Sequence, residues 1–296
     1  MIDKPVGPTS HDVVARVRRA LGQRRTGHGG TLDPPASGLL LVALGRPTRL
    51  LRYVLDLEKS YDGELVLGSA TTTLDDTGEV TARAEMSGIS ATEVATAASS
   101  FVGAINQVPP MVSAVKIGGR RLHELAREGL EVDRPPRPVT IHRLEVAPTD
   151  EPLVFRLDVT CSSGTYIRSL AADIGAALGG VAHLRSLRRS AIGGFTLANA
   201  VPLEGLEASM LRPAAAIVGH LRSVEVDPAL RGEIATGKVL ERRSLGVSGE
   251  GPWALLDEGG VLLAVYEDYS EERAKPAVVL VEPGPRAGAA AAATTN

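Results

Sequence analysis

The sequence has little cysteine, few aromatic residues and no long apolar run. Its single cysteine, Cys161, excludes a disulfide framework and a zinc site built from several cysteines. Aromatic residues are 3% of the 296 residues, so few side chains could stack on nucleobases. No apolar run reaches the roughly 18 residues of a membrane-spanning helix, and Met1–Pro5 carries no apolar signal-like segment. We therefore expect a cytoplasmic protein that does not enter a membrane.

The composition is that of a folded protein with an uneven charge. Hydrophobic residues are 44% and charged residues 23%, and the length allows two domains. The net charge of −3 combines a basic stretch, residues 1–60, with an acidic one, residues 190–296. Basic residues also outnumber acidic ones in 116–143 and 168–189. Such basic segments bind an anionic polymer if they share one face of the protein. Ordinary solvated helix faces are the simpler explanation of this charge distribution.

Apolar spacing and turn residues predict a mixture of helices and strands. Helices are predicted over 9–21, 92–102, 166–178 and near 203–220, and strands over 64–67, 139–147 and 153–161. Residues 71–78 are predicted to be a solvated turn, because Asp75 and Asp76 do not follow calcium-loop spacing. The lack of regular strand–helix alternation predicts an α+β fold around a mixed, mostly antiparallel central sheet flanked by helices.

A change in composition after Val201–Pro202 indicates a second domain. The segments 253–256 and 261–265 flank Asp-Glu-Gly-Gly, which predicts a β-hairpin. We expect a larger domain over residues 1–221, a small β-rich domain over 222–284, and a disordered tail over 285–296, which is low in complexity.

The neighbouring sequence makes two residues candidates for a catalytic or ligand-binding role. Asp33 lies in a glycine-rich segment and precedes two prolines, which can hold its side chain at a defined angle. A turn aspartate that accepts local backbone hydrogen bonds explains the same pattern. Arg168 lies in the first turn of a predicted helix, where a cation opposes the helix dipole unless an anion is nearby. Cys161 ends an apolar strand and is predicted to be a buried, inert thiol.

Two other kinds of site are not supported. Ser10, His11 and Asp12 are consecutive, and consecutive residues cannot form a catalytic triad. The six histidines include no close metal-ligand pair. We therefore expect no metal site.

Six segments in order resemble the TruB-type tRNA pseudouridine synthases. They cover about residues 2–200: Asp3-Lys4-Pro5-Val6-Gly7-Pro8-Thr9-Ser10, Gly27-His28-Gly29-Gly30-Thr31-Leu32-Asp33-Pro34, Lys59-Ser60-Tyr61, the pair Val108–Lys116 and Glu124–Gly129, Gly164-Thr165-Tyr166-Ile167-Arg168-Ser169-Leu170, and Leu184-Arg185-Ser186-Leu187-Arg188-Arg189. Residues 222–284 are similar in position and strand content to the PUA-like domain of bacterial members.

The resemblance implies the pseudouridine synthase fold and the isomerisation of uridine to pseudouridine at position 55 in the T-loop of tRNA. The reaction breaks the C1′–N1 bond of the nucleoside, turns the uracil and rejoins it through C5. Attack by a carboxylate at C1′, attack at C6 and base catalysis at C2′ all remain open. The resemblance implies no metal and no cofactor.

It also implies a role for each residue that matches the family pattern. Asp33 is expected to be the essential catalytic carboxylate. Arg168 is expected to pair with Asp33 and to favour its ionised form. Tyr61 is expected to stack on the flipped uracil and to handle the C5 proton. The other expected substrate-binding residues are His28, which inserts into the T-loop, Arg49, a basic residue near the substrate, and Tyr166 and Leu187, which form pocket walls.

Three hypotheses about function remain at this point. The first is the T-loop enzyme, which binds the T-arm stem-loop of tRNA as a monomer and binds no DNA. The second is an RNA-binding module or tRNA-folding chaperone without catalysis. The third is a related synthase that acts on another RNA. Asp33, Tyr61 and Arg168 together favour the enzyme, because RNA binding alone needs no such combination.

Overall fold

The protein is described by a computed structural model of residues 1–113, 116–130 and 132–282. The chain divides into two compact units, and both are discontinuous in sequence. The larger unit contains Met1–Arg16, Gly30–Leu41 and Leu55–Gly205. The smaller unit contains Val17–Gly29, Val42–Val54 and the described residues from Leu206 onward.

Twenty strands and seven α-helices are assigned within these residues. The strands are β1 (Ile2–Lys4), β2 (Thr26–His28), β3 (Ser37–Leu40), β4 (Val42–Leu44), β5 (Lys59–Leu67), β6 (Ser69–Thr71), β7 (Val80–Arg83), β8 (Gly103–Gln107), β9 (Lys116–Ile117), β10 (Arg120–Arg121), β11 (Arg137–Pro148), β12 (Val154–Cys161), β13 (Ala182–Ile192), β14 (Phe195–Thr196), β15 (Val201–Pro202), β16 (Arg222–Glu225), β17 (Leu240–Glu241), β18 (Trp253–Leu256), β19 (Leu262–Asp268) and β20 (Arg273–Val279). The helices are α1 (Ser10–Ala20), α2 (Arg52–Leu55), α3 (Ala91–Ser99), α4 (Leu122–Arg127), α5 (Ile167–Ala177), α6 (Arg231–Ala235) and α7 (Arg242–Leu245).

A nine-stranded sheet forms the centre of the larger unit. Its strand order is β15-β1-β3-β13-β5-β12-β11-β8, with β14 also paired to β13. Only the β1–β15 and β3–β13 pairs are parallel. The sheet is therefore mixed and mostly antiparallel, and the predicted α+β fold is confirmed.

Strand β5 shows how the sequence divides the two faces of this sheet. Side chains alternate along a strand, so Lys59, Tyr61, Gly63, Leu65 and Leu67 share one face. Leu65 and Leu67 are buried in the main core of the unit. The apolar side of α5 packs into the same core through Leu170 and Ile174. Lys59 and Tyr61, at the start of β5, therefore lie on the face of the sheet that carries this core. They line one cavity with Ile167 and Arg168 at the start of α5.

Most of the predicted elements are present, with small shifts of their ends. The helices predicted over 9–21, 92–102 and 166–178 correspond to α1, α3 and α5. The predicted strands correspond to β5, which is longer than predicted, and to β11 and β12. The helix predicted near 203–220 is wrong, because that segment forms only the short 3₁₀ helices Ala208–Met210 and Ala214–Val218. Pro213 lies between them and prevents a continuous α-helix.

The smaller unit has its own sheet and its own apolar clusters. Strands β16, β18, β19, β20 and β17 form a five-stranded sheet in that order. The predicted hairpin is present as the antiparallel pair β18–β19. One cluster combines Leu50 from the early part of the chain with Val218, Ala254 and Val278. The predicted boundary at 221/222 stays a prediction, and the predicted tail lies outside the described residues.

The helices also bear on the expectation about membranes. Among the residues that the structure describes, no helix combines the length and the apolar character needed to cross a bilayer.

Candidate active site

The loop that carries Asp33 connects β2 to β3 and is fixed on both sides. The backbone N–H of Ala36 donates to the Asp33 carbonyl at 3.1 Å, which closes a turn. The buried Lys4 ammonium donates to the Ala36 carbonyl at 2.7 Å. Ser10 Oγ bonds both the N–H and the carbonyl of Leu32. The backbone around Asp33 is therefore held in place, while its side chain stays 45% exposed.

Arg168 makes an ion pair with Asp33. The helix α5 begins at Ile167, so Arg168 lies in its first turn as predicted. Its Nη2 lies 2.7 Å from Asp33 Oδ2, and its Nη1 lies 3.5 Å from Asp75 Oδ2. It also donates to the carbonyls of Thr73 at 2.9 Å and Val112 at 2.7 Å. The Arg168 side chain is 7% exposed, so these four oxygen atoms, rather than water, set the orientation of its guanidinium.

Asp75 is the second carboxylate beside Arg168. It is 7% exposed, so the prediction of a solvated turn is wrong for this residue. Its Oδ1 accepts hydrogen bonds from Thr73 Oγ1 at 2.6 Å and from the Thr77 N–H at 3.1 Å. The backbone N–H of Asp76 donates to the Leu184 carbonyl on β13 at 3.0 Å. These bonds keep the Asp75 carboxylate against Arg168.

A cavity of about 270 Å³ brings five of the predicted residues together. Asp33, Tyr61, Tyr166, Arg168 and Leu187 all line it. The strand register explains part of this arrangement, since β13 pairs with β5 and both contribute side chains to the cavity. This volume lies near the lower end of the range for ordinary ligand pockets. A cavity of this size suits a single nucleobase rather than a nucleic-acid duplex.

His28 and Arg49 are the two predicted substrate-binding residues that do not belong to the larger unit. His28 ends β2 and Arg49 lies in the 3₁₀ helix Arg46–Leu51. Both belong to the smaller unit, and neither is among the residues that line the cavity. Their expected roles in binding substrate stay predictions.

Burial raises the pKa of both tyrosine hydroxyls in the cavity. For Tyr61 the removal of water is the largest cause, and the nearby charge of Arg189 partly opposes it. For Tyr166 burial is again the largest cause, and a hydrogen bond with Ser113 opposes it. The Tyr166 backbone is fixed by Gln107, which accepts from its N–H at 2.7 Å and donates to its carbonyl at 3.0 Å.

The structure adds charged residues that the sequence interpretation did not select. Lys59 and Arg189 line the cavity, Lys4 binds the loop that carries Asp33, and Asp75 contacts Arg168. Burial lowers the pKa of Lys59 to about 8. The strand period carried a usable signal, because Lys59 is two residues before Tyr61 and Arg189 is two residues after Leu187. No comparable local signal identified Asp75.

The sequence also predicts a buried thiol at Cys161 and no metal site. Cys161 is buried, as predicted, and burial raises its pKa to about 11. Across the described residues, no group of three or more histidine, cysteine, aspartate or glutamate side chains could hold a metal ion.

Two protein-family models match consecutive parts of the chain. Residues 18–167 match the model of the TruB family pseudouridylate synthase N-terminal domain. Residues 168–228 match the tRNA pseudouridylate synthase B C-terminal domain. The chain belongs to the TruB family of pseudouridine synthases. The family predicted from the six segments is therefore confirmed.

Individual relatives match most of the chain. The tRNA pseudouridine synthase B of Symbiobacterium thermophilum is 51% identical over 228 residues, which are 75% of this chain and 76% of the relative. The enzyme of the same name from Bacillus licheniformis is 39% identical and covers 95% of this chain and 97% of its own. The TruB family fold of this chain also matches solved structures. A crystal structure of a Cbf5–Nop10–Gar1 complex aligns with a TM-score of 0.71 at 28% identity, over 95% of this chain and 82% of the other.

Proposed function

We propose that this protein isomerises uridine to pseudouridine at position 55 in the T-loop of tRNA, with Asp33 as the catalytic carboxylate. Membership of the TruB family and relatives named tRNA pseudouridine synthase B support the reaction and the class of substrate. The choice of the T-loop uridine rests on the resemblance of the six sequence segments.

One observation carries the assignment of the catalytic residue. Asp33 is a half-exposed carboxylate whose ion pair with a buried arginine holds it at the wall of the cavity. A carboxylate used only to stabilise the fold has no need to face open space. Arg168 stabilises negative charge on Asp33 and leaves its second oxygen available for the substrate.

The proposed chemistry needs no co-reactant. The C1′–N1 bond breaks, the uracil turns within the cavity, C1′ bonds to C5, and the C5 proton is exchanged for one at N1. Asp33 acts at C1′, at C6 or as a base at C2′. Tyr61 stacks on the uracil and accepts the C5 proton, while Tyr166 and Leu187 hold the ring from other sides.

Extraction of the base from the T-loop is the binding step of the proposal. Flipping a base costs a few kcal/mol, and stacking and hydrogen bonds in the pocket recover part of that free energy. His28 takes the place of flipped bases in the T-loop, and Arg49 contacts the RNA near the target. The protein works as a cytoplasmic monomer on the T-arm, which RNA-binding proteins recognise by loop shape rather than as a duplex.

The deciding experiment measures pseudouridine in a transcribed T-arm stem-loop without added metal or cofactor. Wild type, Asp33→Asn and the control Asp150→Asn are compared; Asp150 is an exposed residue in the turn between β11 and β12. We expect product at the single T-loop uridine with wild type and Asp150→Asn, and none with Asp33→Asn. RNA affinity of Asp33→Asn should stay within about threefold, because the carboxylate acts in the reaction rather than in binding.

Other outcomes would favour the remaining hypotheses. Tight binding without product by the wild type would favour a tRNA-folding chaperone. Product only with a different RNA would favour a synthase of other specificity. One related solved structure is an H/ACA RNP bound to a substrate RNA, which makes this second outcome worth measuring. Equal activity of Asp33→Asn and wild type would refute the role of Asp33.

A further inference from the structure

Arg189 is a buried arginine at the back of the cavity. It lies on β13 directly opposite Tyr61 on β5, and the two side chains line the same cavity. The residue is only 1% exposed, although arginine is rarely buried without a carboxylate. Among the ion pairs of the described residues, none includes Arg189. Its neighbour Arg188 faces the other side of the sheet and pairs with Asp3.

The guanidinium binds backbone carbonyls of the segment that carries Asp33. Nε donates to the Leu39 carbonyl at 2.9 Å, Nη1 to Thr31 at 3.2 Å and Nη2 to Gly30 at 3.2 Å. These three carbonyls lie before and after Asp33 in sequence. One rigid planar group therefore fixes both ends of the loop against β13.

The same side chain also interacts with Tyr61. Arg189 and Tyr61 line the same cavity from paired strands, and the charge of Arg189 opposes the effect of burial on the pKa of the Tyr61 hydroxyl. Arginine stays protonated in proteins, so this positive charge is permanent. The titratable or charged groups that face Tyr61 are Asp33 on the loop before β3, Lys59 on β5, Cys161 on β12, Tyr166 and Arg168 at the start of α5, and Arg189 on β13.

We propose that Arg189 is a positioning residue for the isomerisation, which holds the Asp33 loop in register with Tyr61 and stabilises negative charge on the Tyr61 oxygen. The proposal rests on the proposed function, in which Tyr61 accepts the C5 proton. A phenol can accept a proton only as phenolate, so its own proton must first leave to solvent. A fixed cation beside the oxygen favours that form.

The test is the pH dependence of single-turnover conversion of the T-arm stem-loop by wild type, Arg189→Gln and Arg189→Lys. The control is Arg156→Gln, an exposed arginine on β12 of the same sheet. We expect the wild-type rate to rise with pH. In Arg189→Gln that rise should move to higher pH by about one unit, because the cation that stabilises the phenolate is gone.

Arg189→Lys separates charge from geometry. Lysine keeps the charge but lacks the planar guanidinium fork that reaches the separate carbonyls of Gly30, Thr31 and Leu39, so the rate at saturating RNA should fall at least about tenfold. KM should stay within about threefold, and the position of the pH rise should stay as in wild type. This variant also decides the matter if Arg189→Gln does not fold.

Several outcomes would overturn the proposal. A wild-type rate that does not change with pH, an equal loss at every pH in Arg189→Gln, or wild-type activity in Arg189→Lys would each contradict it. Failure of the proposed function gives a different result, because the wild type itself would then form no pseudouridine in this RNA.

Discussion

At the residue scale, Arg168 contacts two carboxylates at the cavity. It joins the half-exposed Asp33 to the buried Asp75, so its removal affects both catalysis and folding. In Arg168→Gln we expect the rate to fall at least about 100-fold, and the free energy of unfolding to fall by about 3–5 kcal/mol because Asp75 loses its counter-ion. Single-turnover kinetics and urea unfolding measure the two effects. The surface substitution Arg156→Gln should change neither, and a fully stable Arg168→Gln would contradict the assigned burial cost.

Two buried lysines are expected to make the stability of the protein depend on pH. Burial lowers the pKa of Lys4 and of Lys59 from 10.5 to about 8. Above pH 8 the unfolded chain therefore binds more protons than the folded one, and the free energy of unfolding should rise with pH. The thiol of Cys161, with its pKa raised to about 11, opposes this trend above pH 9.

Urea unfolding at pH 7.5, 8.25 and 9 would detect this rise. It should disappear in the Lys4→Met, Lys59→Met double variant, which has no buried ammonium to deprotonate. An unchanged slope in that variant would show that other groups cause the pH dependence.

The residues differ in how far the sequence could predict them. Asp33 and Arg168 stand in recognisable segments, and the ion pair that the resemblance implies is present, while their roles stay predictions. Asp75 is predicted to be a solvated turn residue because its segment does not follow calcium-loop spacing. Its burial comes from β13 and α5, which are distant in sequence. The alternation along β13 places Arg189 on the same face as Leu187, but only the pairing with β5 decides that this face lines the cavity.

At the scale of elements, the approach of β3 to β13 depends on Gly38. The two strands run parallel, with Gly38 opposite Arg189. Gly38 has a φ of +106°, and a Cβ there would lie 2.3 Å from the Arg189 carbonyl oxygen. A side chain at this position would push β3, and the Asp33 loop that precedes it, away from β13.

Gly38→Ala should therefore reduce both stability and activity. We expect a loss of about 2 kcal/mol or more in the free energy of unfolding, from backbone strain together with the clash. Gly88→Ala is the matched control, because a Cβ at Gly88 meets no atom within 4 Å. Thermal unfolding and single-turnover rates of the two variants give the comparison. A Gly38→Ala protein as stable as the control would mean that β3 can shift freely.

Local patterns predicted single elements better than their arrangement. The helices α1 and α5 and the β18–β19 hairpin follow from apolar spacing and turn residues, which depend on neighbours in sequence. The segment near 203–220 is predicted as a helix, but Pro213 separates it into two short 3₁₀ helices. The order of the nine strands depends on long-range pairing, which no local pattern contains.

At the scale of the whole molecule, the smaller unit is assembled from three separate stretches of chain. Leu50 is fully buried with Ala254, Leu262 and Val278 in one apolar cluster. A fragment that ends at residue 221 loses all three of these partners of Leu50. It should therefore unfold over residues 42–54 while the nine-stranded sheet of the larger unit persists.

Hydrogen exchange followed by mass spectrometry would test this expectation. Amide protection over 42–54 should be lost in fragment 1–221 and kept in fragment 1–284, while β5 and β12 stay protected in both. Full protection of 42–54 in the shorter fragment would show that this stretch is stable without the C-terminal sheet.

Because the smaller unit is built from distant stretches of the chain, its structure also restricts how the gene can recombine. A single recombination event between genes of two relatives, near the codon for residue 205, would join the C-terminal stretch of one parent to the 17–29 and 42–54 stretches of the other. Positions such as Leu50 and Val278 would then come from different parents although they share one cluster. A change at one of them restricts what the other can become, so we expect substitutions in these distant parts of the gene to have accumulated in pairs.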